Sequence, residues 1–432
     1  MNRLRFISLI TFVLMRQLIV AQDIEYARKV IDTLASPAMD GRGYVNNGDG
    51  KAAGFIAGEF ANEGLLPFEN GYLQKYSFPM NTFPGKVNIT INKKVLIPAR
   101  DFVVRASTAP ITGKFKVLEV SKDILGSEIK LLKLLLKSRS NKMLLIDKKG
   151  IENKKIIAIL DSLKTTNFAG AAGLIYVIDS KPTWSVMAGA SVKPYPVIEV
   201  KRESLPAKPK KISLDIESSF VPEYPTQNVL AYVKGSMQPD TFLVFTAHYD
   251  HLGRMGSETY FPGANDNASG TAMLLDLAAY YSKPENKPWY SMAFLALSGE
   301  EAGLHGANFC AGHPPFPLEK VKFLVNMDMV GTGSEGITMV NGTVFKEAYN
   351  RMAKINADNE YVLTVKDRGE SCNSDHCPFY KKGVPAVFIY SMGKEFREYH
   401  NPDDIGDKLP LTEYNDIFRL IRDFMNGFQP DR

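Results

Sequence analysis

The chain has 432 residues, of which 45% are hydrophobic, so it is long enough to bury more than one core and to form two domains. Its 52 lysine and arginine residues exceed its 47 aspartate and glutamate residues by five, and both signs are interspersed. This small excess does not create the strong positive field that nucleic-acid binding usually requires. We therefore expect no nucleic-acid partner.

The first residues have the layout of an export signal. Arg3 and Arg5 precede an apolar stretch that ends in the small residue Ala21, after which we expect cleavage. Arg16 interrupts this stretch, which leaves open a weak signal, an uncleaved anchor or an N-terminal helix of the mature fold. No later segment approaches the roughly 20 apolar residues of a membrane-spanning helix. We expect an exported protein, periplasmic or extracellular, with no stable membrane insertion once residues 1–21 are removed.

Two patterns divide the part of the chain before residue 226. Residues 22–73 predict two helices, because apolar residues recur there at helical spacing on either side of a turn-forming segment at 36–43. Residues 74–225 contain short strand-like runs, interrupted by a lysine-rich helix and proline-rich segments. We expect this stretch to be a separate β-rich α+β module inserted into the chain, with its basic runs on a solvated surface.

From residue 226 to the C terminus, apolar strands alternate with helices. Strands are predicted at 228–233, 242–247, 291–297, 323–327 and 386–390, and helices at 271–281, 345–357 and 411–427. Runs that are apolar on both faces and alternate with helices predict an α/β domain with a mostly parallel central sheet and helices on both faces. Such sheets bind ligands at the carboxyl ends of their strands.

Acidic residues and a histidine follow three of these strands at the point where each ends. His248 follows the strand at 242–247, Glu300 and Glu301 follow the strand at 291–297, and Asp328 follows the strand at 323–327. A solvated loop would hold lysine, serine and asparagine as often. The sequence therefore predicts that three strands deliver these groups to one edge of the sheet.

Two loops add further candidates. Asp266 lies in the loop 262–270, which is rich in small residues and precedes a helix, so the simpler alternative is that this residue caps the helix. Its carboxylate nevertheless has two oxygens, which can bridge two cations. His400 lies on a loop after the last strand, and alone it would be an ordinary surface histidine. All six histidines lie between residues 248 and 400, which confines metal chemistry to this domain.

Together these positions form a metal-binding set of two imidazoles and three carboxylates: His248, Asp266, Glu301, Asp328 and His400. Imidazole and carboxylate ligands suit zinc, and a shared carboxylate suits two metal ions about 3.5–4 Å apart. Asp250 lies two residues after His248, on the same side of an extended chain, and could orient the histidine ring. The alternative is that Asp250 is a turn residue.

Adjacent glutamates need separate roles, because neighbouring side chains in an extended segment diverge. One of Glu300 and Glu301 can bind metal while the other faces a water molecule, and spacing alone leaves the two interchangeable. A zinc centre lowers the pKa of its water to about 7, and a nearby carboxylate can take the proton and pass it to the leaving amine. This is metal-assisted hydrolysis, which requires no serine or cysteine nucleophile.

Five motifs occur in order along the chain: His-Tyr-Asp-His, Gly-Ala-Asn-Asp-Asn-Ala-Ser-Gly, Ser-Gly-Glu-Glu-x-Gly-Leu, Asn-Met-Asp-Met and Tyr-His-Asn-Pro-Asp-Asp. With these motifs the chain resembles the M28 family of zinc peptidases, strongly from residue 226 to the C terminus. Residues 23–66 resemble the N-terminal helices of that family. The insertion at 74–225 resembles, more weakly, the protease-associated domain that many members carry at this place.

The resemblance implies specific roles for the candidate residues. Two zinc ions per chain are implied, one served by His248, Asp266 and Asp328, the other by Glu301, His400 and the shared Asp266. Glu300 is implied as the general base and acid, and Tyr399 as the donor to the developing oxyanion. The peptide bond after Asp266 is expected to be cis, and the segment 374–380 is expected to line the substrate cleft. His251, His305 and His313 are not expected among the metal ligands.

Four functions follow from the resemblance and compete. The first is an aminopeptidase acting on peptides, whose free amine enters among the carboxylates. The second is a carboxypeptidase of the same fold, for which Arg254, Arg368 and Arg397 are near enough in sequence to the site to recognise a substrate carboxylate. A glutaminyl cyclase uses one zinc ion, which the intact five-ligand set disfavours. A metal-free interaction domain would have lost ligands, and none is lost here.

Cysteines give one further open alternative. Cys372 and Cys377 could form a local disulfide in an oxidising compartment or remain buried free thiols.

Overall fold

The computed structural model describes residues 24–68, 71–137, 139–186 and 192–430. The expected export signal, residues 1–21, lies outside these residues. None of the described helices combines the length and the apolar character needed to cross a bilayer.

The described residues contain ten α-helices and seventeen β-strands. The helices are α1 (Ile24–Leu34), α2 (Gly48–Asn62), α3 (Lys122–Leu125), α4 (Glu128–Leu135), α5 (Lys154–Thr166), α6 (Gly270–Ser282), α7 (His305–Gly312), α8 (Lys346–Asn359), α9 (His376–Lys381) and α10 (Tyr414–Asn426). The strands are β1 (Leu66–Pro67), β2 (Leu73–Thr82), β3 (Val87–Ile91), β4 (Lys94–Leu96), β5 (Phe102–Val104), β6 (Ile111–Glu119), β7 (Arg139–Asp147), β8 (Ala171–Ile178), β9 (Val197–Lys201), β10 (Lys211–Ile216), β11 (Ser219–Val233), β12 (Gln238–His248), β13 (Tyr290–Leu297), β14 (Val321–Met327), β15 (Ile337–Val340), β16 (Val365–Asp367) and β17 (Ala386–Ser391).

The main sheet has the strand order β1-β11-β13-β12-β14-β17-β15-β16, and β2 also pairs with β11. Its four central strands, β13, β12, β14 and β17, are parallel. Strand β11 is antiparallel to β13, and β15 is antiparallel to β17. Only a few residues connect β11 to β12, too few for the crossover that parallel strands need. The α/β prediction is therefore confirmed, but the parallel arrangement is limited to the centre of a mixed sheet.

Helices cover both faces of this sheet. Successive residues of a strand point to opposite faces, so neighbouring residues of the central strands pack against different helices. On β12, Leu243 and Phe245 pack with α1, α2, α6, α8 and α10. Val244, between them, packs on the other face with α7 and α9. This alternation at period two confirms the expected layers.

A second sheet has the order β4-β3-β10-β6-β7-β8-β9-β5. Helices α4 and α5 pack on one face of it, against Leu144 and Ile146. Met143 and Leu145 belong to the other face, whose cluster also contains Leu252 of the main domain. The second sheet therefore packs directly against the segment that follows β12.

The boundary expected between residues 225 and 226 falls inside one continuous strand, β11. Strand β11 pairs with β2 from Ser219 onward, with a bulge between Val221 and Tyr224, where Pro222 interrupts the ladder. Both strands thus belong to the main sheet. The strands of the second sheet occupy only residues 87–216.

Candidate metal centre

His248, the last residue of β12, faces two carboxylates. Its Nε2 atom lies 3.4 Å from Oδ1 of Asp266 and 3.3 Å from Oδ1 of Asp328. Asp328 directly follows β14, the parallel neighbour of β12, so the two side chains meet at the carboxyl edge of the sheet. All three residues are buried.

His400 faces a second pair of carboxylates. Its Nε2 atom lies 3.1 Å from Oδ2 of Asp266 and 3.2 Å from Oε2 of Glu301. Each oxygen of Asp266 therefore faces a different imidazole. The structure thus places all five residues of the expected metal-binding set in one cluster.

The spacing of these atoms fits zinc. Nitrogen and oxygen ligands lie 2.0–2.1 Å from a tetrahedral zinc ion, so two such ligand atoms are about 3.3 Å apart. The separations between the two imidazole nitrogens and their carboxylate oxygens, 3.1 to 3.4 Å, match this edge length. Without a cation the cluster depends on protons to offset the charge of three carboxylates.

The charges of the cluster shift its pKa values strongly. Burial alone lowers the pKa of His400, but Glu301 and Asp266 outweigh it and raise that pKa to about 11. Burial likewise opposes the rise at His248, whose pKa is lifted well above its usual range by Asp328. Burial and Asp266 raise the pKa of Glu301, but His400 and His251 outweigh these two effects and lower that pKa to about 2. His248 and His400 thus hold protons that a cation would displace.

The Asp266 loop is held through its backbone. The carboxylate of Asp404 accepts hydrogen bonds from the N–H groups of Asn265, at 2.8 Å, and Asp266, at 3.2 Å. On the other side, the buried guanidinium of Arg42 donates to the carbonyl oxygens of Pro262, at 2.6 Å, and Gly263, at 2.7 Å. The peptide bond after Asp266 is cis, as the resemblance implied. Neither Arg42 nor Asp404 was among the expected site residues.

Asp250 connects the His248 strand to the glutamate loop. Its carboxylate accepts hydrogen bonds from the backbone N–H of Glu300, at 3.2 Å, of Glu301, at 3.3 Å, and from the hydroxyl of Tyr44, at 2.5 Å. The Nδ1 atom of His248 lies 3.2 Å from the backbone oxygen of Asp250 and 3.7 Å from its Oδ1 atom. The nearer partner of the ring is therefore the backbone carbonyl, whereas the carboxylate fixes the turn that carries both glutamates.

The two glutamates have different surroundings. The carboxylate of Glu301 contacts His251 through Oε1, at 2.7 Å, and His400 through Oε2. Burial raises the pKa of Glu300 well above its usual range, and the carboxylates of Asp328 and Glu301 add to this rise against the effect of His248. Glu301 thus faces the histidines, while Glu300 is an acid whose surroundings favour the protonated form.

Tyr399 lies beside the cluster and reaches solvent. Its ring stacks on that of His400, with centroids 3.8 Å apart, and 45% of the residue is exposed. Burial of the rest of the side chain, together with Asp266 and Glu301, raises the pKa of the phenol. Tyr399 therefore keeps its proton and can donate a hydrogen bond next to the metal-binding groups.

His251 was not expected among the metal ligands, and it lies directly against them. It is fully buried, its Nδ1 atom contacts Glu301, and its ring lies 5.7 Å from that of His400. His251, Asp266 and Glu301 also form a group with ligand atoms within 4.8 Å of one another. The signal was its position three residues after His248, in a motif that contains two histidines.

The segment 374–380, which was expected to line the substrate cleft, begins with three buried residues that lie close to the cluster. Ser374, Asp375 and His376 are fully buried, and the Ser374 hydroxyl donates to Oδ2 of Asp328 at 2.8 Å. Ser374 therefore supports the carboxylate of Asp328. The disulfide Cys372–Cys377 closes the loop around Ser374, which decides between the two alternatives for these cysteines.

Comparison with known proteins agrees with this geometry. Residues 228–425 match the model of peptidase family M28. The chain carries an M28 peptidase domain. All five residues of the metal-binding cluster lie within this M28 domain.

Curated relatives match over about half of their own length. A probable zinc metalloprotease of Leptosphaeria maculans is 40% identical over 236 residues, which is 45% of this chain and 54% of the relative. Aminopeptidase YwaD of Bacillus subtilis is 28% identical over 263 residues, 56% of this chain and 54% of the relative.

Solved structures share the fold along nearly the whole chain. A zinc aminopeptidase from Bacillus subtilis superposes with a TM-score of 0.70 and 19% identity, covering 94% of this chain and 96% of its own. An aminopeptidase from Aneurinibacillus sp. strain AM-1 gives a TM-score of 0.64 at 19% identity, covering 96% of each chain. At this identity the likeness establishes the fold of the chain, including the second sheet.

Proposed function

We propose that this protein is an exported M28 metallopeptidase with two zinc ions, which removes N-terminal residues from peptides. The observation that carries the proposal is the position of Asp266, whose two carboxylate oxygens face two different imidazoles, those of His248 and His400. A carboxylate shared in this way is the characteristic ligand of a two-metal hydrolytic centre.

The contacts support two ligand sets. His248, Asp266 and Asp328 would hold one zinc ion, and Asp266, Glu301 and His400 the other. His400 is preferred to His251 because its Nε2 atom lies within 3.2 Å of both carboxylates, whereas His251 approaches Glu301 through Oε1, away from Oε2. His251 would then orient Glu301, as an imidazole behind a ligating carboxylate does.

Zinc supplies Lewis-acid chemistry, which polarises the scissile carbonyl and makes the attacking water more acidic. Glu300, in its ionised form, takes the proton from that water and passes it to the leaving amine, and the burial that raises its pKa makes it a stronger base for this step. Tyr399 donates from its phenol to the oxygen that becomes negative as the tetrahedral centre forms. Asp250 holds Glu300 in place through the backbone.

Charge favours an aminopeptidase over a carboxypeptidase. Glu300, Glu301, Asp266 and Asp328 surround the centre with carboxylates, which attract the ammonium group of a peptide rather than its carboxylate. Arg254, one of the cations that could have recognised a carboxylate, is engaged by Asp40 at 3.0 Å. The five-residue set likewise supports two zinc ions rather than the single ion of a glutaminyl cyclase.

Export is supported by two features. The N-terminal residues 1–21 have the layout of a signal, and the disulfide Cys372–Cys377 is typical of an oxidising compartment. Residues 74–225 are proposed to contain the protease-associated-like module, with the second sheet at its centre.

The test of this function is Glu300→Gln, assayed on aminoacyl-arylamides. We expect kcat to fall at least about 100-fold, because general acid–base catalysis contributes about 10² to 10⁴ in rate, while the zinc content is unchanged. Wild-type hydrolysis by the zinc-loaded variant would show that another group acts as the base. A panel of free-amine, N-blocked and C-terminally amidated peptides then gives the direction, and only the peptides with a free amine are expected to be cleaved.

A further inference from the structure

The segment that follows β8, residues 179–186, reaches from the second sheet to the loop that carries His400. The ammonium group of Lys181 forms ion pairs with Oε2 of Glu398 and Oδ2 of Asp403, both at 2.5 Å. The backbone N–H of Trp184 donates to the carbonyl oxygen of His400 at 2.9 Å. The two acidic partners of Lys181 therefore lie on either side of the residues proposed for zinc binding and catalysis.

Trp184 is itself fixed at both ends. Its indole N–H donates to the carbonyl oxygen of Val104 in β5, at 2.7 Å, and only 3% of the residue is exposed. Its ring stacks on Phe261 of the main domain, with centroids 5.0 Å apart. Phe261 immediately precedes the loop 262–270, which carries Asp266. Trp184 thus connects the second sheet to two metal-binding loops, the one that carries Asp266 and the one that carries His400.

His400 needs such support because its backbone is strained. Its φ angle is +51°, in the left-handed region that residues other than glycine rarely adopt. A residue is held in this conformation only where its surroundings fix it on several sides. The hydrogen bond at its carbonyl and the two ion pairs of Lys181 provide this restraint from the second sheet.

The restraint passes to the second metal-binding loop. Asp404 accepts hydrogen bonds from the N–H groups of Asn265 and Asp266, so the loop 398–404 holds the Asp266 loop in turn. Residues 179–186 are therefore the outer end of a continuous set of contacts that runs through His400 to the shared carboxylate.

We propose that Lys181 and Trp184 are positioning residues for the metal centre, so that the module containing the second sheet is part of the catalytic unit. This inference rests on the proposed function in one respect, the identity of the centre that is positioned. Through the loop 398–404, the two residues set where Tyr399 and His400 lie relative to Asp266. Loss of these contacts should therefore impair catalysis without removing any catalytic residue.

The primary variant is Lys181→Met, which removes the charge at a side chain that is 41% exposed and is therefore expected to fold. Lys148→Met is the matched control, because Lys148 makes an ion pair of 2.9 Å with Asp161 within the same module, away from the metal centre. Lys181→Arg tests rescue by a conserved charge. We expect Lys181→Met to lower kcat about 10-fold and zinc affinity about 10-fold, with KM little changed, as for residues that support metal ligands. Lys148→Met should match wild type, and Lys181→Arg should recover most of the loss.

A double-mutant cycle locates the effect. If Lys181 acts through Glu398, the kcat losses of Lys181→Met and Glu398→Gln should be less than multiplicative when the two are combined. Independent, fully multiplicative losses would assign the effect to another contact and overturn this part of the proposal.

Hydrogen exchange tests the restraint without zinc or substrate. In the metal-free protein, we expect the peptide that covers residues 398–404 to exchange faster in Lys181→Met than in wild type, and at the wild-type rate in Lys148→Met. Equal exchange and equal kcat in all three proteins would overturn the positioning role. If wild type neither binds zinc nor cleaves peptides, the proposed function fails, while the exchange experiment still decides whether Lys181 restrains the loop.

Discussion

Arg42→Lys probes how the Asp266 loop is held. The guanidinium of Arg42 is completely buried and donates four short hydrogen bonds to carbonyl oxygens, those of Tyr249 at 2.7 Å, Leu34 at 2.8 Å, Pro262 at 2.6 Å and Gly263 at 2.7 Å, and a longer one to that of Asp266 at 3.4 Å. Burial lowers its pKa only to about 10, so the group remains charged at neutral pH. A lysine keeps the charge but donates from one atom, which cannot reach oxygens arranged around a planar fork.

The expected cost follows from these four bonds. A hydrogen bond to a charged group contributes about 1.5–3 kcal/mol, so a lysine that keeps two of the four loses about 3–6 kcal/mol before relaxation. We expect a net loss of about 3 kcal/mol, which leaves a domain of ordinary stability folded. Zinc affinity should fall as well, by about 10-fold, because Pro262 and Gly263 belong to the loop that carries Asp266.

Urea unfolding of the metal-free protein and a zinc titration measure the two effects. Arg351→Lys is the control, since Arg351 is only partly buried and its guanidinium, which lies over the ring of Phe428, donates to a single carbonyl oxygen, that of Gly427 at 3.0 Å. This control should lose less than about 0.5 kcal/mol, as surface substitutions usually do. If Arg42→Lys were as stable as the control and bound zinc like wild type, the role assigned to Arg42 would be refuted.

Two further predictions concern buried carboxylates. Asp250→Asn should lower kcat about 10- to 100-fold with zinc still bound. The reason is that the single amide oxygen of asparagine accepts poorly from the two backbone N–H groups of Glu300 and Glu301. Steady-state kinetics combined with metal analysis measures this effect, and an unchanged kcat would contradict it. Burial raises the pKa of Asp375 to about 8, well above the ordinary aspartate value of about 3.9. Between these two pH values the native state keeps a proton that unfolding releases, so the free energy of unfolding falls as pH rises. In urea unfolding of the metal-free protein, the free energy of unfolding of Asp375→Asn should therefore increase relative to that of wild type by on the order of 2 kcal/mol between pH 5 and pH 8. An equal pH dependence of this free energy in the two proteins would exclude this titration.

Much of the candidate site could be predicted from the sequence, because its residues follow strand ends. The positions of His248, Glu301 and Asp328 come from the rule that parallel strands deliver their carboxyl ends to one edge, and the structure places them there. Spacing did not separate Glu300 from Glu301, because a turn decides which one faces the histidines. That turn is fixed by the carboxylate of Asp250, which is a tertiary contact.

The contacts that hold the site could not be read from the sequence. Arg42 lies between two glycines in a segment with turn chemistry, and its partner Tyr249 is 207 residues away. Lys181 and Glu398 are 217 residues apart, and neither belongs to a motif. Such long-range bonds depend on how distant segments of the chain pack against one another, which local patterns do not encode.

The junction expected between residues 225 and 226 lies inside β11 for a local reason. Prolines at 222 and 225 favour a break between elements, yet β11 continues past both, with Pro222 inside a bulge between Val221 and Tyr224 and Pro225 paired with Ser77. Proline is tolerated at such irregular positions of a strand, so its presence marked a bend instead of an end.

Zinc titration of metal-stripped protein, followed by hydrolysis of an aminoacyl-arylamide at each point, tests the two-metal account most directly. The account predicts that activity reaches its plateau at two zinc ions per chain, and that Asp266→Asn loses both the second equivalent and the activity. A plateau at one zinc ion per chain, or full activity after complete removal of zinc, would contradict the shared role of Asp266 and with it the proposed mechanism.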